Sequence, residues 1–256
     1  MNECVLITGA SRRLGRILAK TVAASDRKVV LHYNRSKADA EDLRREIQNL
    51  GGQVSLVQAD LSEQSAATSL ISEAEKAAGQ KITGVVNNAS IFDYDTPAAF
   101  SADVFAQAIS VNLAAPVTIS AQFFEAADPD NNNIVVNILD QKLWNLNPDF
   151  YSYTCSKMGL LAATQMMDMA FGNSVRVAAI APGLLFPSFD QTEKEHQEVA
   201  CQNLLRTPID PNEVARALIY ILDSQFRGQV LHIDNGQRFL EADRDVMFSN
   251  RPDGNL

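Results

Sequence analysis

The sequence predicts one α/β domain built on a doubly wound, seven-stranded parallel sheet with helices on both faces. Short β-rich runs alternate with longer stretches of helical periodicity over nearly the whole chain, the pattern of a parallel sheet covered on both sides. The first apolar run ends in a turn holding two glycines and opens directly into a helix. At 256 residues, with 46% hydrophobic and 21% charged side chains, the chain suits a single domain that buries a sizeable core without metal or disulfide staples.

Cys4–Thr8 is the first predicted strand, and Leu14–Ala24 follows with Leu14, Ile17, Leu18, Thr21 and Val22 at helical spacing. Val29–Tyr33 is the second strand, followed by an amphipathic helix over Lys37–Leu50 that stops at Gly51-Gly52. Val54–Gln58 is the third strand, and Glu63–Ala78 the next helix, with Ser62 as its expected N-cap. Ile82–Val86 and Ile134–Leu139 are strands separated by one long helical stretch, Ala102–Ala126. A helix over Phe150–Phe171, a strand over Val175–Ile180, a helix over Pro211–Leu222 and a strand over Gln229–Ile233 complete the pattern.

Right-handed crossovers make such a sheet doubly wound, with ligands bound beyond the carboxyl ends of its strands. No Pro/Gly/Ser linker or repeat divides the chain, so residues 1–256 read as one domain. Two stretches break the alternation. Pro182–Arg206 reads as a lid over the ligand, and the tail from Gln237 as a surface arm or subunit contact.

A formal net charge of −9 argues against non-specific attraction to nucleic acid or to an anionic membrane. Cys4, Cys155 and Cys201 are odd in number and far apart, which speaks against a disulfide framework or a zinc knuckle. The three histidines are equally scattered, so no metal site is expected. The start, MNECVLITGA, lacks the basic and apolar segments of a signal peptide. No run approaches the ~18 apolar residues of a bilayer span. A soluble, cytoplasmic protein is expected.

The chemistry begins at Thr8-Gly9-Ala10-Ser11-Arg12-Arg13-Leu14-Gly15. Gly9 allows the tight turn, Gly15 close packing of the helix, and the helix N-terminus around Arg13 and Leu14 offers free N–H groups to a diphosphate. Nucleotide choice is read at the end of the second strand, where NAD sites place an Asp or Glu on the ribose 2′-hydroxyl. Here the residues are Tyr33, Asn34, Arg35 and Ser36, with no carboxylate among them. Arg35 can fork onto a 2′-phosphate while Asn34 and Ser36 donate, so NADP(H) is expected over NAD(H). Asp60-Leu61 and Asn87-Asn88-Ala89-Ser90 follow the third and fourth strands, where adenine and ribose would lie. Asp60 is placed either to accept from the adenine amino group or to cap the next helix.

Together, Thr8-Gly9 with Gly15, Asn87-Asn88-Ala89, Asn112, Tyr153-Thr154-Cys155-Ser156-Lys157 and Pro182-Gly183 resemble the short-chain dehydrogenase/reductase family, whose fold is a Rossmann sheet. The resemblance runs from Val5 to about Gly236. Within the family, the first turn, Leu31–Ser36 and Asn88-Ala89-Ser90 look most like the pteridine reductases, with dihydromonapterin reductases close by. Arg13 stands where most members carry the middle glycine of the turn, and Asp140 where they carry the active-site serine, thirteen residues before the tyrosine. Both departures are features of the pteridine reductase branch. Asn235 interrupts the Asp-Gly-Gly that often follows the last strand.

The resemblance implies an NADPH-dependent reductase of dihydropteridines, a homotetramer, with Pro182 and Gly183 also at the cofactor. Tyr153 and Lys157, at i and i+4 on one helix, share a face. The Lys157 ammonium is expected to lower the tyrosine's proton affinity and to hold the cofactor ribose. Asn112 resembles the family asparagine that anchors a water in the proton path. An ionised Asp140 is acceptor-only and would repel a substrate carbonyl, so it suits a ring rich in N–H groups and basic nitrogens, such as a pterin. Partly buried, it would have a raised proton affinity and could feed Tyr153. Phe92 is placed to stack on a flat ring or to join the core, Ser90 to touch cofactor or pterin, and Arg13 to reach both. The competing readings are a short-chain carbonyl or quinone reductase, and a catalytically silent NADP-binding sensor.

Overall fold

Each of the short apolar runs is a strand, and each pairs in parallel with its neighbours. The computed structural model describes residues 3–188 and 191–248. In chain order it runs β1 (Cys4–Ile7), α1 (Arg13–Ala23), β2 (Lys28–Tyr33), α2 (Lys37–Asn49), β3 (Val54–Gln58), α3 (Gln64–Ala78) and β4 (Gly84–Asn87). Then follow α4 (Ala102–Ile109), α5 (Ala115–Ala126), β5 (Ile134–Ile138), α6 (Tyr151–Phe171), β6 (Arg176–Pro182), α7 (Glu193–Ala200), α8 (Pro211–Asp223) and β7 (Val230–Ile233). The sheet order is β3-β2-β1-β4-β5-β6-β7, so the winding reverses between β1 and β4 and opens a crevice at their carboxyl ends.

Strand alternation sorts the core into two layers. Val5 and Ile7 face α1 and α8 through Leu18, Val22, Leu218 and Ile221. Their neighbours Cys4 and Leu6 face α3 and α5 through Leu70, Ile71, Ile119 and Phe123. Burial on both faces is why these strands read as continuous apolar runs.

Five expectations need correction. The N-cap of α3 is Glu63, because the Ser62 hydroxyl is turned to the Asp60 carboxylate at 2.7 Å. The Ala102–Ala126 stretch is broken by a π-helical turn over Ser110–Ala114. Pro116 has no N–H to offer the carbonyl four residues back, and the Ala115 N–H reaches instead to Ser110. The same stretch is long and apolar enough, by composition, to cross a membrane, against the sequence expectation. Here α5 lies on α3 with Ala115, Ile119 and Phe123 in the core. Within Pro182–Arg206, where a loop was expected, α7 is started by a capping box between Thr192 and Glu195; residues 189 and 190 lie outside the described residues. Finally, the tail from Gln237 is no outlying arm as far as Phe248. Met247 and Phe248 pack against Phe150 and Tyr153.

Asn235 also acquires a reason. It takes φ 50, a left-handed conformation that asparagine tolerates, and its Nδ2 donates to the Thr207 carbonyl at 3.1 Å.

Candidate active site

The glycine turn is clamped from β4. Thr8 Oγ1 accepts from the N–H groups of Asn88 and Ala89, both at 2.9 Å. Asn88 Nδ2 donates back to the carbonyls of Thr8 at 2.9 Å and Gly9 at 3.2 Å. Gly9 sits at φ +62, and a Cβ on Gly15 would run into the Gly9 carbonyl and Asn88 Nδ2. Both glycines are therefore demanded by the turn itself. Arg13, expected at the place of the turn's middle glycine, also has a positive φ of 48. The left-handed backbone is retained without the residue that makes it cheap, a strain of roughly 1 kcal/mol held at a functional turn. Leu14 is buried in the first turn of α1.

Beyond β2, Tyr33 is buried, and the Asn34 carbonyl accepts from Gln58 Nε2 at 3.1 Å. Arg35 is exposed and forms no ion pair among the described residues, and Ser36 precedes α2 with no side-chain cap bond. The Asp60 carboxylate accepts from Ser62 N at 3.0 Å and Ser62 Oγ at 2.7 Å. Those bonds hold its proton affinity below the usual carboxylate range. These bonds make a local turn before α3 and not the helix cap, which falls at Glu63. Leu61 joins the core.

The reacting groups gather beyond β5. Tyr153 Oη donates to Asp140 Oδ2 at 2.7 Å, and Asp140 Oδ1 accepts from the Lys142 N–H at 2.8 Å. Asp140 keeps a little accessible surface, yet burial of its carboxylate outweighs these bonds and raises its proton affinity. Burial first, and the Asp140 charge second, push the Tyr153 phenol well above its ordinary value. The expected lowering by Lys157 does not occur. Its Nζ, 5.8 Å from the Tyr153 ring centroid, donates to the Ile138 carbonyl at 2.8 Å, whereas Asp140 bonds the phenol directly. Burial brings Lys157 itself down to about 8.

Asn112 lies in the π turn, fully enclosed. Its Oδ1 accepts from Ser90 Oγ at 3.1 Å and Ile91 N at 2.9 Å, and its Nδ2 donates to the Ile91 carbonyl at 3.0 Å and Ser156 Oγ at 3.1 Å. With both donors and both acceptor sites used, the side chain has none left to anchor a water. It ties the β4 loop, Ser90 included, to α6. Phe92 stacks on Phe150 with centroids 3.8 Å apart and stands edge-on to Tyr153 at 4.6 Å. It remains 41% exposed, so it walls the site and is not core.

The far side is closed by the segment after β6. The Gly183 N–H donates to the Ile233 carbonyl at 3.0 Å, which continues the register from Pro182. The Arg13 guanidinium donates to the Pro187 carbonyl and lies 5.4 Å from the Phe186 ring centroid, joining the glycine turn to the lid stretch.

Two residues of consequence escaped the sequence reading. His32 accepts from the Gly9 N–H on Nδ1 at 3.0 Å and contacts the Ala59 carbonyl through Nε2 at 3.1 Å, bracing the turn. Burial holds its proton affinity down to about 4, so the imidazole is neutral with its proton on Nε2. A histidine inside a buried apolar strand was the available signal. Asp95 accepts from the Ser152 N–H at 2.9 Å and from its hydroxyl, capping α6 from a loop 57 residues away. No local pattern announces that.

Comparison with known proteins agrees with this geometry. Residues 3–198 match the family model described as short chain dehydrogenase. FolM Alternative dihydrofolate reductase 1 from Brucella canis, complexed with NADP, superposes with a TM-score of 0.90 at 33% identity, covering 95% of this chain and 97% of that one. The Brucella suis counterpart, also with NADP, gives 0.90 and 33% over 94% and 97%. Among sequence relatives, NADPH-dependent aldehyde reductase 2, chloroplastic, of Arabidopsis thaliana is 24% identical over 90% of this chain and 92% of its own length. The short chain dehydrogenase ausX of Aspergillus calidoustus is 27% identical over 91% and 96%. With the glycine cradle, the tyrosine–lysine helix and the seven-stranded sheet in place, the chain belongs to the short-chain dehydrogenase family of oxidoreductases.

Proposed function

We propose that this chain is an NADPH-dependent reductase of dihydropteridines, delivering hydride to C6 of a 7,8-dihydropterin and a proton to N5 to give the tetrahydro form. Fully oxidised pterins, reduced at C7 and N8, belong to the same substrate class. The residues suit a dinucleotide: a glycine cradle that a Cβ would fill, a free helix N-terminus, and an exposed Arg35 with no carboxylate among Tyr33–Ser36 to repel a 2′-phosphate. When bound, NADPH supplies the hydride.

The observation that carries the substrate class is the Asp140–Tyr153 hydrogen bond. It sets a carboxylate, not a hydroxyl, beside the proton donor. An ionised Asp140 rejects a carbonyl oxygen and accepts from ring N–H groups. A protonated Asp140 turns its O–H to Tyr153 Oη and frees the phenolic proton for N5. Phe92 offers an aromatic face to a flat ring, and the likeness to the Brucella FolM reductases supports the same class. The homotetramer that the resemblance implies is part of the proposal, supported by Met166 and Met169 exposed on α6 and Phe124 on α5.

A carbonyl reductase is the second reading, favoured by the similarity to the Arabidopsis aldehyde reductase. NADPH oxidation measured on biopterin, monapterin and folate at both oxidation levels, beside simple ketones, decides. Turnover of dihydropterins is expected. Turnover of ketones alone overturns the substrate class, and nucleotide binding without any turnover overturns the enzyme.

A further inference from the structure

Beside the Asp140–Tyr153 pair lies a buried ion pair that no step of the reaction above uses. The Lys142 side chain is 3% exposed, and its Nζ donates to Asp245 Oδ2 at 2.9 Å and to Asn147 Oδ1. The backbone N–H of the same Lys142 bonds Asp140 Oδ1 at 2.8 Å. One residue thus links the proton-holding carboxylate to a partner 103 positions further along the chain.

The tail that brings Asp245 there is fastened at several points. Asp149 accepts from Arg244 Nε and from the Asp245 N–H, both at 2.8 Å, and from Tyr94 Oη at 3.1 Å. Gln191 Nε2, at the start of the lid helix, donates to the Met247 carbonyl at 3.2 Å. Met247 and Phe248 then close on the rings of Phe150 and Tyr153. A lone ammonium or carboxylate buried at this depth is costly, so neither charge keeps its place without the other.

We propose that Asp245 and Lys142 are positioning residues that set how firmly the Asp140–Tyr153 pair holds its proton, making residues 244–248 a working part of this chain's own active site. Among the described residues the charged groups facing the pair are Lys142 after β5, Asp245 on the tail and Lys157 on α6; Asp149 is spent on Arg244 and Tyr94. Asp245 raises the proton affinity of both members, and Lys142 lowers that of Asp140. The inference rests on the reading of Asp140 and Tyr153 as the proton donors.

The test is the pH profile of kcat for dihydropterin reduction by the full chain, with thermal melting as the check on folding. In Asp245→Asn, the midpoint of the limb governed by the pair moves down by about half a pH unit. In Lys142→Met it moves up by less, and the double variant falls between the two single variants. Asp245→Glu keeps the parent profile. Should Lys142→Met fail to fold, Asp245→Asn against Asp245→Glu decides alone. Unchanged midpoints, or shifts of one sign in both single variants, overturn the inference while Asp140→Asn still abolishes turnover. If Asp140→Asn is fully active with the parent profile, the proton-donor reading fails instead.

Discussion

The hydroxyl of Tyr153 donates a 2.7 Å hydrogen bond to Oδ2 of Asp140, thirteen residues earlier in the chain. Both groups hold a proton more firmly than usual, for different reasons: burial raises the carboxylate against the opposing pull of the tyrosine hydrogen bond, while burial and then the Asp140 charge raise the phenol. Under the proposed function, this pair is the proton source for the substrate.

Removing that proton source tests the pair. Tyr153→Phe is expected to lower dihydropterin turnover about 10²- to 10⁴-fold, the usual worth of a positioned acid. Asp140→Ser cuts pterin turnover far more than it weakens NADPH binding. Steady-state kinetics beside fluorescence titration of the nucleotide separates the two quantities, and equal activity in Asp140→Ser removes the reason for choosing pterins.

Arg35 is exposed just past the end of β2, with no ion pair among the described residues. Arg35→Asp puts a charge where a 2′-phosphate would lie and weakens NADPH binding, with preference moving toward NADH. The ratio of kcat/KM for the two nucleotides measures it. An unchanged ratio means that the phosphate is held elsewhere.

Gly15 faces the Gly9 carbonyl and Asn88 Nδ2 with no room for a methyl group. Gly15→Ala forces the turn open, costs about 1–3 kcal/mol of stability and weakens nucleotide binding together with it. Denaturant melts with and without NADPH give both effects. Gly79, with nothing near its missing Cβ, is the control for crowding, although its φ of +69 still penalises alanine.

The neutral His32 ties stability to pH. Burial holds its folded-state value at about 4 against an ordinary 6.5, so on acidification the unfolded chain takes up the proton first. Its contribution is whole above pH 6.5 and is lost as the pH falls through the window down to 4. Between pH 7 and pH 5 that amounts to about 2 kcal/mol. Urea unfolding at the two pH values should show this slope in the parent and lack it in His32→Gln.

What lay along the chain was legible without coordinates. The alternation of runs set seven parallel strands, because strands buried on both faces must be apolar throughout. The glycine turn, the i,i+4 spacing of Tyr153 and Lys157 and the unusual Asp140 are likewise local patterns with local chemistry. The π turn at Ser110–Ala114 was missed, although Pro116, which has no N–H to donate, stood in that stretch as its signal.

Tertiary structure alone decided who stands next to whom. It turned the Lys157 ammonium onto the Ile138 carbonyl, filled the Asn112 amide with protein partners, and gave the capping of α6 to Asp95. It also folded the tail back so that Asp245 meets Lys142 and Phe248 meets Phe150. Proton affinities and buried ion pairs depend on distance through space and on desolvation, and neither is a property of position along a chain.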